Sequence, residues 1–237
     1  MDINDPKITA LRAKVTAARE EFDMAVAFHE AWKPAAYDND LHVRMSASYA
    51  SNTFLTVRTA LRREVLLALM RLWGNDTRVV SMKSIANTLQ DKRVIDAFAA
   101  DRLARLGLPE SYSMMRQDLN QLANDAVTLI KKYDEGGTHD GVLEKLKRLR
   151  DERLAHRNKT TITIAGADAT DAEVESFYLD MAKLISLLLH LVEATAYDPM
   201  ETAHVYQHYA KFFWAGVRGE RTEGHPNFRA PSAMQNS

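Results

Sequence analysis

A run of basic residues contains the side chains of this chain that are best suited to chemistry. Residues 144–159 read EKLKRLRDERLAHRNK, with seven basic residues against three acidic ones. Their charges sum to about +4, whereas the whole 237-residue chain carries a formal charge of -1. His156 stands within this run, and an imidazole beside fixed cations is suited to acid–base chemistry on an anionic substrate.

Helical spacing would gather several of these side chains at one end of a helix. Arg153 and His156 are three residues apart and share a face, while Arg157 returns to the face of Arg150 after seven residues. Arginine offers a planar fork for phosphate oxygens and stabilises negative charge as it develops. The pattern therefore predicts a phosphate-directed His/Arg site, and such a site requires no metal.

A purely structural interpretation of the same run stays open. Its charges could form a solvent-exposed helix face with ion pairs three or four residues apart, such as Glu144 with Arg148. Cations also suit the C-terminal end of a helix because of the helix dipole. The segment that follows, residues 168–180, has five acids and no base, so the small net charge is a sum of opposite patches.

Composition excludes several other kinds of site. The chain has no cysteine, which excludes disulfides, thiolate zinc sites, iron–sulfur clusters and a cysteine nucleophile. It has neither a glycine-rich phosphate loop nor a Gly-x-Ser-x-Gly motif. The sequence pI of 6.7 means that nucleic-acid binding would need a local basic patch. We expect no cofactor.

Two further groups of residues have competing interpretations. Glu201, His204 and His208 are spaced for one helix face, and two histidines four apart could share a metal. Because a di-metal bundle site needs a second Glu-x-x-His pair, which the sequence lacks, we expect an exposed polar face and no metal. The second group is Arg58, Arg62 and Arg63 on an apolar helix, where one arginine is either buried and paired or directed into the cleft of the basic run.

The elements that must position these residues are predicted to be helices. Glycine and proline are few and widely spaced, and the intervals between them carry apolar residues three or four apart. Ser81 is predicted as an N-cap, and Thr170 with Glu173 as a capping box. Thr161–Ile164 could be a short extended piece. The predicted helices are Pro6–Trp32, Leu41–Trp73, Met82–Leu89, Val94–Leu106, Glu110–Tyr133, Gly141–His156, a helix from Thr170 to about Tyr197, and Met200–Trp214.

The predicted fold class is all-α, a bundle of about four long helices with additional short ones. We expect residues 1–219 to form a single domain and residues 220–237 a flexible C-terminal tail. The sequence has no apolar run of the roughly 20 residues that a spanning helix needs. Its first residues are acidic and polar, unlike a signal peptide, so we expect a cytoplasmic protein with no membrane partner.

Two parts of the sequence resemble the HEPN superfamily (higher eukaryotes and prokaryotes nucleotide-binding domains). Residues 150–156, RDERLAH, are similar to its Arg-x(4–6)-His signature, which lies near the end of a core helix of an all-α bundle. Residues 48–54, 58–61 and 69–73 resemble the second helix of its abortive-infection U branch. Where that branch has an immediate acid after Arg-Leu-Trp, this chain has Gly74, Asn75 and Asp76. The resemblance covers about residues 18–197.

The resemblance implies a metal-independent endoribonuclease that leaves a 2′,3′-cyclic phosphate. His156 would be the general acid or base, Arg150 would stabilise the pentacoordinate phosphate, and Asp151 would orient one of them. Arg148, Arg153, Arg157 and Lys159 would bind RNA. The mechanism selects RNA because it needs the 2′-hydroxyl.

The resemblance also implies partners and a role. RNA would be the substrate, and a homodimer would place two motifs in one cleft of a bacterial toxin or abortive-infection effector in phage defence. An antitoxin or regulatory protein is possible, although Asn158 replaces the tyrosine that antitoxins modify in some toxins. The alternative is a catalytically inactive helical protein, a sensor or scaffold, whose basic face only binds a partner or nucleic acid.

Overall fold

The computed structural model describes residues 1–74, 80–148 and 169–230. These residues form nine α-helices and no strand, with one isolated bridge between Trp73 and Ser81, so the all-α prediction is confirmed. The four longest helices have 21 to 32 residues, as a bundle of about four long helices requires. The helices are α1 (Pro6–Tyr37), α2 (Asn39–Ser46), α3 (Ser51–Arg71), α4 (Met82–Leu89), α5 (Lys92–Leu106), α6 (Tyr112–Tyr133), α7 (Asp140–Arg148), α8 (Asp171–Glu193) and α9 (Pro199–Gly216).

Polar caps set several helix starts. Ser81 accepts a hydrogen bond from the backbone N–H of Ser84 and opens α4, as predicted. The predicted capping box of Thr170 and Glu173 is present at the start of α8. Each cap satisfies a backbone donor that the first helical turn leaves without an intrahelical partner.

Three predicted helix boundaries were wrong. Helix α8 ends at Glu193 and not near Tyr197, because Ala194 adopts a left-handed conformation that caps the helix. Helix α1 continues beyond Trp32 and through Pro34 to Tyr37. Proline disfavours a helix interior, but Ala35 is buried in a hydrophobic cluster with Trp214, and this packing holds the last turn in place. The predicted helix over 41–73 is divided into α2 and α3. Ser51 Oγ donates to the carbonyls of Met45 and Ser48, and Ser48 Oγ accepts from the N–H of Ala50. These side chains replace the intrahelical bonds and interrupt the helix.

The described chain divides into two compact units, and the first comprises Met1–Met24 and Leu66–Pro199. In this unit α6 packs against α5 and α8. Its core contains Tyr133 edge-on to Phe177, with ring centroids 4.8 Å apart, and Trp73 at 6.1 Å from both rings. Such aromatic pairs each add about 0.5–1.5 kcal/mol to the burial of their surface.

The second unit comprises Ala25–Val65 and the described residues from Met200 onward. Its core is built around Trp214, whose ring lies edge-on to Phe54 with centroids 5.7 Å apart. The indole N–H of Trp214 donates to the carbonyl of Ala31 at 2.8 Å, which fixes α9 to α1. The expectation of one domain over residues 1–219 and a tail from 220 onward stays a prediction. None of the described helices is long and apolar enough to cross a membrane.

Candidate nucleic-acid interface

Most of the predicted site lies outside the described residues. Arg148 is the exception, and it is the exposed last residue of α7. The proposed catalytic residues Arg150, Asp151 and His156 fall within residues 149–168, as do Arg153, Arg157, Lys159 and the segment Thr161–Ile164. Their roles stay predictions, and the structure defines the helices that precede and follow them.

Helices α7 and α8, which precede and follow this segment, are joined by one ion pair. Lys145 Nζ lies 2.6 Å from Glu173 Oε1. The other carboxylate oxygen of Glu173 accepts from the backbone N–H of Thr170 at 2.8 Å, and the N–H of Glu173 donates to the Thr170 hydroxyl at 3.2 Å. One side chain therefore closes the capping box of α8 and ties α8 to α7. The sequence predicted the capping box but gave no signal for the ion pair.

The environment of Glu173 favours its charged form. The hydrogen bond from Lys145 and then that from the Thr170 backbone lower the pKa of the Glu173 carboxyl. A carboxylate in the first turn also interacts favourably with the helix dipole. The tie therefore persists in mildly acidic solution.

Helix α7 is held on its inner side by apolar residues. Leu143 and Leu146 are buried, three residues apart, and α7 packs against α6. Burying a leucine side chain contributes about 1.5–3 kcal/mol relative to leaving it in water. This packing fixes the helix that carries Arg148 and leads into residues 149–168.

A second polar tie joins α6 to α8. Asp180 Oδ2 lies 2.5 Å from Lys132 Nζ and accepts from the Tyr133 hydroxyl at 2.6 Å. Burial, followed by the hydrogen bond to Asp180, raises the pKa of Tyr133. Tyr133 therefore stays a neutral donor at physiological pH, so this cluster supports the scaffold.

A cavity of about 410 Å³ lies beside α7, but its charge does not suit phosphate. The described residues that line it include four acids, Asp134, Glu135, Asp140 and Glu144, against two lysines, Lys83 and Lys147. Lys147 also lies 3.5 Å from Glu144. Phosphate recognition by the predicted site therefore needs Arg148 and the basic residues that follow it.

The other two groups of candidate residues are described in full. The guanidinium carbon of Arg62 lies 5.8 Å from the ring centroid of Trp32, Arg58 is half-buried and Arg63 is exposed. Glu201, His204 and His208 are exposed, as predicted, but the exposed surface of α9 also carries Val205, Tyr209, Phe212 and Phe213 and is therefore not purely polar. Within the described ranges, no three His, Asp or Glu side chains are grouped as a metal site would require.

Comparison with known proteins identifies a family. The model of the AbiU2 family of HEPN domains matches residues 8–213, which include most of both described units and the whole of residues 149–168. No curated protein and no solved structure matches the chain.

Proposed function

Because this chain belongs to the AbiU2 family of HEPN domains, we propose that it is a metal-independent endoribonuclease and an abortive-infection effector. The observation that carries the proposal is a family match over residues 8–213 that encloses the Arg150–His156 motif. The fold agrees with it, since the described residues are helical and α7 leads directly into the motif.

The proposed reaction is an internal transesterification of RNA. The ribose 2′-oxygen attacks the adjacent phosphorus while the bond from phosphorus to the 5′-oxygen breaks, which leaves a 2′,3′-cyclic phosphate and a 5′-hydroxyl. His156 transfers a proton either from the 2′-hydroxyl or to the leaving oxygen. Arg150 stabilises the negative charge on the pentacoordinate phosphate. Asp151 orients either Arg150 or His156.

Binding of the RNA would use the remaining basic residues of the run. Arg148, Arg153, Arg157 and Lys159 are proposed to contact phosphates, since they belong to the same basic run as the motif. The tie between Lys145 and Glu173 would limit how far the two ends of the segment can separate. A homodimer would bring two such motifs together, and an antitoxin or regulatory protein would act on that assembly.

The alternative, an inactive sensor or scaffold, differs from the proposed ribonuclease because it does not cleave RNA. Purified wild-type protein and His156→Ala would be incubated with RNA in EDTA, with His190→Ala, a change of an exposed histidine on α8, as the matched control. We expect cleavage by the wild type and the control, and a loss of at least about 100-fold in His156→Ala. Absence of cleavage by every protein at all salt concentrations would favour the inactive alternative.

A further inference from the structure

The second unit contains a groove that the motif does not use. A cavity of about 780 Å³ lies between the end of α1, α2 and α9, and all of its described lining residues belong to this unit. We call it the α1–α9 groove. The lining residues that matter here are Lys33, Tyr37, Arg44, His204, His208 and Lys211.

Basic residues dominate the charge of the groove. Its described lining holds the cations Lys33, Arg44 and Lys211 and a single acid, Asp38. Lys33 Nζ lies 3.4 Å from Glu30 Oε1, but 41% of the Lys33 side chain is exposed, so the pair leaves it accessible from the groove. Asp38 is engaged as the N-cap of α2, where its Oδ1 accepts from the Leu41 N–H at 3.0 Å. The cavity beside α7 has the opposite balance, so the excess of cations is a property of this groove and not of cavities in this chain generally.

Arg44 is a cation of the groove lining whose position is fixed. Its Nη2 donates to the backbone carbonyl of Trp214 at 3.1 Å, which holds the guanidinium against α9. Its Nε is buried and has no hydrogen-bond partner among the described residues. Arg44 also lines the groove, where the other N–H groups of its guanidinium can donate to a phosphate oxygen.

Aromatic and imidazole side chains lie beside these cations. Tyr37 is 59% exposed, and its ring is held edge-on against Trp32 with centroids 5.3 Å apart. His204, His208 and Lys211 are exposed and share one face of α9 at spacings of four and three. A held, exposed ring beside a line of cations is the arrangement with which proteins bind single strands, the ring stacking on a base and the cations following the backbone.

We propose that the α1–α9 groove binds single-stranded nucleic acid, with Lys33, Arg44 and Lys211 on phosphates and Tyr37 stacked on a base. Its volume lies within the range of about 300–1,000 Å³ that ligand sites occupy. Phosphates and base faces are common to RNA and DNA, so the groove binds single strands of RNA and of DNA with similar affinity. The cleavage proposed above, in contrast, needs a 2′-hydroxyl. Strand binding here is therefore independent of the motif chemistry.

The test is fluorescence anisotropy with labelled 12-nucleotide single strands, in EDTA, with the full chain carrying His156→Ala so that RNA is not cut. Three phosphate contacts predict that log Kd changes with log salt with a slope of about 2, at about 0.7 for each contact. Lys211→Glu is the main variant, because Lys211 is exposed and its replacement disturbs no core residue. We expect it to weaken binding of RNA and DNA about tenfold, as loss of one charged hydrogen bond predicts. Tyr37→Ala should weaken the binding of both RNA and DNA without changing the slope against log salt, because it removes stacking and no charge.

Lys183→Glu on α8 is the matched control, since it makes the same change of charge at an exposed lysine of the first unit. Equal weakening by Lys183→Glu and Lys211→Glu would overturn the proposal, because net charge would then be the cause. Competition by a mononucleotide or by polyglutamate as effective as that by an unlabelled strand would also overturn it. Failure of the protein to cut RNA, with the Lys211→Glu effect intact, would count against the proposed ribonuclease and leave the groove standing.

Discussion

Replacing Glu173 should destabilise the protein more than replacing an ordinary surface glutamate. Its carboxylate accepts from the Thr170 N–H, pairs with Lys145 and lies in the first turn of α8. The side chains of Lys145 and Glu173 are 33% and 25% exposed, so solvent weakens the pair but does not remove it. Glu173→Ala loses about 0.5–1 kcal/mol for the cap, about 0.2–1 for the pair and about 0.3–1 for the helix dipole, together about 1–3 kcal/mol.

Urea unfolding and thermal melting measure this loss. A change of about 2 kcal/mol corresponds to a fall in Tm of about 4–8 °C for a chain of this size. Glu173→Gln keeps an acceptor for Thr170 and should lose about half as much. Glu201→Ala, an exposed first-turn glutamate on α9, is the control for the dipole contribution.

The pH dependence supplies the sign of the effect. Because the pKa of Glu173 is lowered below its ordinary value of 4.5 in the folded protein, its charge stabilises the fold above pH 4.5. The difference in free energy of unfolding between wild type and Glu173→Gln should therefore decrease as the pH falls below 4.5 and through the lowered pKa of Glu173. A double-mutant cycle with Lys145→Met should give a coupling of about 0.5–1 kcal/mol at neutral pH. Zero coupling, or an advantage that grows in acid, would refute the reasoning.

Two further predictions concern the scaffold. Asp180→Ala should lower the free energy of unfolding, measured in urea, by about 1–3 kcal/mol, because Lys132 and the buried Tyr133 hydroxyl lose their acceptor. In a Tyr133→Phe background the same substitution should lower it by less. An equal loss in both backgrounds would contradict the hydrogen bond. Trp214→Phe should cost about 0.5–1.5 kcal/mol by thermal melting, because the hydrogen bond from the indole N–H to the Ala31 carbonyl is lost. An unchanged Tm would show that this bond does not stabilise the second unit.

Local signals in the sequence were sufficient for much of the fold. Ser81 and the Thr170–Glu173 capping box mark helix starts because a cap depends on residues within three positions of each other. The break at Ser48–Ser51 was missed, since apolar spacing continues across it and the competing hydroxyl bonds depend on geometry. Pro34 predicts the end of a helix because its ring disfavours the helix interior, yet α1 extends to Tyr37.

The spacing of residues in the sequence predicts only part of the candidate sites. The motif was found because Arg150 and His156 are six residues apart, and its geometry lies outside the described residues. The α1–α9 groove brings Tyr37 and Arg44 of the first fifth of the chain beside His208 and Lys211. No local pattern predicts such proximity. Local spacing does not predict the ion pair between Lys145 and Glu173 either, because 28 positions separate the two residues.

The measurement that tests the central claim most directly is the end chemistry of an RNA cut by the wild-type protein in EDTA. After the cleavage position is mapped, a second RNA is made with a 2′-deoxyribose at that position alone. The proposed mechanism predicts 2′,3′-cyclic phosphate and 5′-hydroxyl ends on the first RNA, and no cleavage of the second at that position. Products with 5′-phosphate ends, or equal cleavage of the deoxy-substituted RNA, would contradict it.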